Sequence, residues 1–174
     1  MASLPLAVAI AVHDAIRAVM AAGAPPVEIK WPNDILVGRA KTCGILLEAE
    51  RLADGRHALV IGIGINIASA PDQAAYRVTK LGDHAPSVSP DILFARLYAA
   101  MVDALALWDR GAGIADVVRR WRASACGIGE RITVNLPDRS LSGYFAGIDD
   151  QGLLLLEEDN GRRTAIAAGD VFFV

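Results

Sequence analysis

Residues 27–48 read VEIKWPNDILVGRAKTCGILLE, and this stretch decides the fold. Val27, Ile29 and Trp31 alternate with Glu28 and Lys30, the period of a half-buried strand. Pro32-Asn33 breaks that strand, because proline donates nothing to a ladder and asparagine tolerates turn conformations. Ile35-Leu36-Val37 resumes it, Gly38-Arg39 turns, and residues 41–48 return as a further strand. Lys30, Asn33, Asp34 and Lys41 therefore collect at strand ends and turns, where a scaffold holds side chains rigidly. Gly44 follows as a point at which a ligand can approach backbone.

The pattern extends in both directions. Residues 4–22 read as one largely buried helix, ending near Gly23 and barred from continuing by Pro25-Pro26. Its polar residues His13, Asp14 and Arg17 fall at helical spacing and predict a solvated stripe. After the turn at Asp54-Gly55, residues 57–67 predict a long strand. Gly62 and Gly64 share one face of it, which suits either a groove for a flat ligand or close packing under a helix. Asn66 stands at that strand's end and is the better candidate for function. Residues 68–88 are irregular. Ser89-Pro90 marks a helix start, with a hydroxyl cap and proline at the first helical position. That helix should run to about Arg110 and bury Leu93, Leu97, Met101, Leu105 and Trp108. A further helix, residues 114–124, carries Arg119, Arg120 and Arg122 on its wet side. From Gly127-Ile128-Gly129 onward the pattern changes to short strands at hairpin spacing: 131–136, 141–148, 153–157, 163–167 and 171–173. This predicts a small barrel, too thin to stand without packing against what precedes it.

Composition narrows the function. The chain has 174 residues, 53% of them hydrophobic, enough for one or two domains with a real core. A net charge of −3 predicts no nucleic-acid surface. The apolar start lacks a basic leader and falls short of the ~20 apolar residues of a membrane span, so neither a signal peptide nor a membrane anchor is expected. Two cysteines, Cys43 and Cys126, fit a reducing, cytoplasmic compartment rather than a disulfide framework. Cys43, two positions after Lys41, reads as a small buried filler. Three scattered histidines offer no metal-ligand spacing.

Lys30-Trp31-Pro32-Asn33-Asp34, Lys41 and Gly44-Ile45-Leu46 resemble, at the same spacing, the signature of the biotin–protein ligases. Gly62-Ile63-Gly64-Ile65-Asn66 is similar to that family's second motif, and the tail from about Cys126 resembles its small C-terminal barrel. The resemblance implies an α+β fold: a mixed or antiparallel sheet packed by helices, like part of a class II synthetase-like ligase domain, over residues 1–126. An SH3-like β-barrel over 127–174 would follow. The implied reaction activates biotin with ATP to biotinyl-5'-AMP and then transfers the biotinyl group to a lysine of a biotin carboxyl-carrier protein. Lys41 would be the catalytic ammonium between carboxylate and phosphate. Trp31, Asn33, Asp34, Gly44, Ile45, Gly64 and Asn66 would join it in binding substrate and nucleotide. Asp34 reads as a partner of Mg2+ or of ribose, or as a carboxylate that only stabilises its turn.

The family also carries a Ser/Thr-rich pocket strand and a glycine–arginine-rich closing loop ahead of the tryptophan motif. Only 29 residues precede Lys30, and no Gly-Arg-Gly-Arg run occurs in the 174. The sequence therefore reads as a ligase lacking the front of its catalytic domain. Three functions follow: a biotin–protein ligase active in a completed form, a lipoate-type acyl ligase, or a non-catalytic module on the ligase fold. Unpaired edges on a shortened sheet would favour a homo-oligomer.

Overall fold

The computed structural model describes residues 3–72 and 76–174. Helix α1 (Leu4–Arg17) opens the chain, with proline in its first turn. It is buried along nearly its whole length, as the run Leu6–Val12 demands. It ends five residues before the expected Ala22. Val19 and Met20 donate to carbonyls only three residues back, and the Ala21 amide turns outward to the His84 carbonyl, so the helical ladder is lost. His13 is buried rather than solvated, lying between the Asp14 carboxylate at 2.9 Å and the Val27 carbonyl at 3.1 Å.

Four strands follow as an antiparallel meander: β1 (Val27–Lys30), β2 (Asp34–Val37), β3 (Ala40–Arg51) and β4 (His57–Ile65). The β2–β3 turn at Gly38-Arg39 has positive φ at both residues, 56° and 64°, the twist a two-residue hairpin prefers. β3 runs past the expected Glu48 to Arg51, because Glu48 to Arg51 pair with Val60 to His57. β4 stops two residues short of Ile67, where the Asn66 carbonyl turns to accept from Leu81. Among the described residues all ladders are antiparallel, and parallel pairing occurs only as two isolated bridges, Ile29–Ala125 and Lys41–Val78.

Helix α2 (Pro90–Trp108) begins as predicted, with the Ser89 hydroxyl accepting from the Ile92 amide at 3.3 Å. It ends at Trp108 because Asp109 and Arg110 take positive φ. Leu93 is buried and Leu97, Met101 and Trp108 partly so, but Leu105 is exposed. The inner side of α2 is narrower than the leucine spacing suggests, and Ala104 fills it instead. In α3 (Ile114–Ser124), Val117, Val118 and Trp121 enter the core. Two of its three arginines reach partners outside the helix: Arg120 pairs with Asp14, and Arg122 donates to the Ile148 carbonyl. Arg119 is solvated, as expected, and pairs only with Asp116 in its own helix.

The last five strands are β5 (Arg131–Asn135), β6 (Ser140–Ile148), β7 (Leu154–Glu157), β8 (Arg163–Ile166) and β9 (Asp170–Phe173). They pair antiparallel in the order β8-β7-β6-β5-β9. Among the described residues no ladder joins β8 to β9, so the expected barrel is a five-stranded sheet rather than a hydrogen-bonded cylinder. Its inner side chains, among them Ile132, Val134, Phe145 and Leu156, continue the core built on α1 and β1. Trp31 joins the two sheets directly, its indole N–H donating to the Gly152 carbonyl at 3.2 Å.

Candidate functional site

The first sheet has two unlike faces. Ile29, Ile35, Cys43 and Ile45 point into the core. Lys30, Asp34, Lys41, Gly44, Leu46, Gly62 and Gly64 line an open groove of about 760 Å³ on the other side. Strict alternation would place Lys41 on the same face as Cys43. A bulge prevents this: Ile35 pairs with Cys43 and Leu36 with Lys41, leaving Thr42 extra. Lys41 is thereby turned to the groove, while Thr42 is buried and, among the described residues, its hydroxyl has no hydrogen-bond partner.

Register places the charges. Asp34 pairs with Lys30 on one side and with Gly44 on the other. Lys41 Nζ lies 2.6 Å from Asp34 Oδ1, and Lys30 Nζ lies 3.8 Å from Oδ2. A Cβ on Gly44 would stand 3.4 Å from Lys41 Cε and Nζ, so the head of the lysine lies directly beside the glycine. Across the strands Gly44 pairs with Gly64 and Leu46 with Gly62. A Cβ on Gly62 or Gly64 would meet no atom nearer than 3.6 Å, so these glycines leave floor open rather than packing under a helix.

Burial works against the charged form of Lys41. The hydrogen bond and charge of Asp34, joined by Tyr76, outweigh it and hold the pKa above the ordinary lysine value. The group is an ammonium at any physiological pH. Burial also pushes the thiols of Cys43 and Cys126 up to about 12, so neither is a nucleophile near neutrality.

The remaining expected residues divide by what they touch. Asn33 donates to the Ile45 carbonyl at 2.6 Å, and its own carbonyl accepts from the Ile45 amide, clamping the turn after Trp31 onto β3. The Trp31–Pro32 peptide is cis, and the indole is buried. Asn66 donates to the Thr79 carbonyl at 3.1 Å, which braces the segment carrying Tyr76 and Val78 beside Lys41. Asn66 lines an adjoining hollow with Lys41, Gly44 and Gly64, while Ile45 borders the main groove. Among the described residues no group of three His, Cys, Asp or Glu side chains gathers to hold a metal. Each oxygen of Asp34 faces an ammonium, so the donor set does not fit a resident Mg2+.

The sequence singles out none of Tyr76, Asp170 and Phe172, which also line the groove, and it gives Lys30 a place in the polar cluster but no role of its own. Phe172 had only the signal of a strand residue facing away from buried Val171, since its place depends on how β9 docks.

The profile of the Biotin/lipoate A/B protein ligase family matches residues 2–66, and that of the Biotin protein ligase C terminal domain matches residues 127–174. The chain is 36% identical to a biotin–[acetyl-CoA-carboxylase] ligase of Paracoccus denitrificans, over 99% of its own length and 73% of that protein. It is 34% identical to the Mycobacterium tuberculosis protein of the same name, over 97% of its length and 61% of that protein. In structure it resembles the Aquifex aeolicus biotin protein ligase solved with biotin and ATP, with a TM-score of 0.82 at 20% identity. That match covers 100% of this chain and 72% of the other. Among the described residues no helix is long and apolar enough to cross a membrane.

Proposed function

The chain belongs to the biotin–protein ligase family, and on that premise we propose that it serves ATP-dependent attachment of biotin to a biotin carboxyl-carrier protein. In the first step a carboxylate oxygen of biotin bonds to the α-phosphorus of ATP and the bond to pyrophosphate breaks, leaving biotinyl-5'-AMP. In the second, the amine of a carrier lysine bonds to the biotinyl carbonyl, loses a proton, and AMP departs.

The observation that carries this reading is the Lys41–Asp34 pair, set above a glycine floor in the groove. The first step brings two anions together, and a fixed ammonium lowers that repulsion most where charge accumulates in the transition state. Asp34 keeps Lys41 charged and aimed without closing the groove. Gly44 and Gly64 let a flat ring lie against backbone, with Ile45 at the edge. Trp31, Asn33 and Asn66 act by holding these elements in register. The residues suit a metal that arrives on the phosphates of ATP, since Mg2+ retains most of its shell on nucleotide and water oxygens. We assign residues 1–126 to a ligase domain and residues 127–174 to a C-terminal domain, in a cytoplasmic protein that self-associates.

Biotin-dependent release of pyrophosphate from ATP tests the proposal. It should appear in a form that also carries a glycine–arginine-rich closing loop, because an open groove admits water to any mixed anhydride. Release on lipoate instead of biotin would reassign the substrate. Release on neither would leave a non-catalytic module. For the 174 residues, calorimetric titration should find biotin held weakly, because Leu46 at the groove's edge is 60% exposed and, among the described residues, the groove stays open above it. Sub-micromolar affinity would show the pocket to be complete as it stands.

A further inference from the structure

Arg39 takes the second place of the β2–β3 turn with φ 64°, a conformation uncommon outside glycine, asparagine and aspartate. A turn of this kind has no need of arginine. What the side chain touches lies mostly in the other sheet. Both terminal nitrogens donate to the Glu130 carboxylate, Nη1 at 3.1 Å, and Nε stands 3.7 Å from the Glu28 carboxylate. The guanidinium lies 5.0 Å from the ring centroid of Phe173. Glu130 immediately precedes β5, and Phe173 ends β9. The Phe173 ring is in turn seated on the backbone of Gly127, where any side chain would overlap it. Arg39 therefore grips the C-terminal sheet where β5 and β9 run side by side, and does so from the turn that leads into Lys41.

β9 has use for such a hold. Among the described residues it pairs with β5 alone, so its other edge is free. Trp31 also ties the two sheets, but at the turn before β7. Successive strand residues face opposite ways, so a Phe173 directed at Arg39 leaves Phe172 on the other face. There Phe172 and Asp170 line the groove, with the Phe172 ring centroid 5.6 Å from Lys30 Nζ. Exposed ion pairs add little stability, and Arg39 and Glu130 are 40% and 43% exposed. A two-pronged pair is nonetheless specific in direction, so what it supplies is geometry. We propose that Arg39 is a positioning residue of the groove: forked on Glu130 and laid over Phe173, it fixes β9 so that Phe172 and Asp170 keep their places in the groove wall. The proposal rests on the ligase reading only for what the groove binds, since the clamp itself belongs to the two sheets.

The chain has three lysines, so carbon-13 at the lysine ε position gives three signals to follow in the full 174 residues. The Phe172 ring displaces the Lys30 signal, and its loss in Lys30→Arg assigns it. Arg39→Gly removes the clamp while supplying the residue that this φ prefers, so the melting temperature should hold or rise. The Lys30 signal should nevertheless move toward its position in Phe172→Leu. Lys41, whose Nζ lies 4.9 Å from the Tyr76 centroid, is the internal reference and should stay. Glu130→Gln should move the Lys30 signal the same way by a smaller step. Arg39→Lys should recover little, because it keeps the charge and loses the fork. Exchanging the pair, Arg39→Glu with Glu130→Arg, should return part of the shift. By calorimetric titration Arg39→Gly should weaken ATP binding about threefold, the size of one badly placed contact. The proposal is overturned if Arg39→Gly leaves the Lys30 signal unmoved, or if ATP binds wild type and variant with the same affinity. If the signal moves and ATP binds neither protein, the ligase reading falls while the clamp stands.

Discussion

Lys41 and Cys43 stand two positions apart on one strand, yet one reaches the groove and the other the core. That separation rests on Thr42, the extra residue of the bulge, and it fixes what each side chain can do. In an adenylation-competent form, Lys41→Ala should lower adenylate formation by about two to three orders of magnitude, as for loss of a preorganised transition-state charge. The melting temperature should change little, since the lysine head packs against no core group. Wild-type turnover in that variant would remove Lys41 from the mechanism. The two thiols make a complementary prediction. With both pushed up to about 12 and buried, Ellman's reagent should label neither cysteine in the native chain and both in denaturant. The charged cluster was legible because Lys30, Asp34 and Lys41 lie within one hairpin, where local pattern and turn chemistry determine proximity. The unequal roles of Asn33 and Asp34 were not. Which of two adjacent polar side chains meets an ammonium and which a carbonyl depends on the twist of the turn.

At the scale of elements, turn chemistry carried most of the reading. Asp149 accepts from the Gln151 and Leu153 amides, and Asn160 from the Arg162 amide, so the β6–β7 and β7–β8 turns are each closed by an identifiable side chain. The absence of a closing β8–β9 ladder was illegible, since no local signal states which distant edges meet. The docking of α1 was equally hidden. Its His13-Asp14 step looks like solvent-facing polarity, but buried His13 joins β1 and half-buried Asp14 joins α3. The hydrogen bond from His13 holds the Asp14 carboxyl below its ordinary value against the opposing cost of burial, with the charges of Arg120 and Arg17 adding to it. A folded pKa below the unfolded value of 3.8 stabilises the fold above that pH and loses the benefit as pH falls through the folded value. Asp14→Asn should therefore unfold at lower denaturant than wild type at pH 7, with the deficit shrinking as pH falls below 3.8. A deficit that stays constant through that range would mean that the carboxylate's charge is irrelevant to the joint. The contact between sheets offers a steric test. Gly152 has φ +87°, and a Cβ there would lie 2.6 Å from Leu6 Cδ1. Gly152→Ala should therefore destabilise by about 1–3 kcal/mol, the usual range for overpacking.

Two surfaces of the molecule are unlike the rest. α2 packs its inner side on α1, but Phe94, Tyr98, Val102 and Leu105 form a stripe at helical spacing on its outer side, the first two nearly 70% exposed. β4 is an edge strand of the first sheet, and Leu59 and Val60 on it are also exposed. An unpaired edge presents open amides and carbonyls along its length, and such strands in stable monomers are usually short, charged or covered. Residues 59–65 of this one carry no charge. Surfaces of this kind are seldom left to water. The 174-residue chain should accordingly sediment as more than a monomer at tens of micromolar, with weight-average mass rising with concentration. Phe94→Glu combined with Tyr98→Lys places charge on the stripe without touching a buried side chain, and should shift the chain toward the 18.4 kDa monomer. Val60→Lys, on the edge, should act in the same direction by the charge that natural edges use. If the wild-type chain is monomeric throughout that range, the stripe and the edge are tolerated by water, and self-association is no property of these residues.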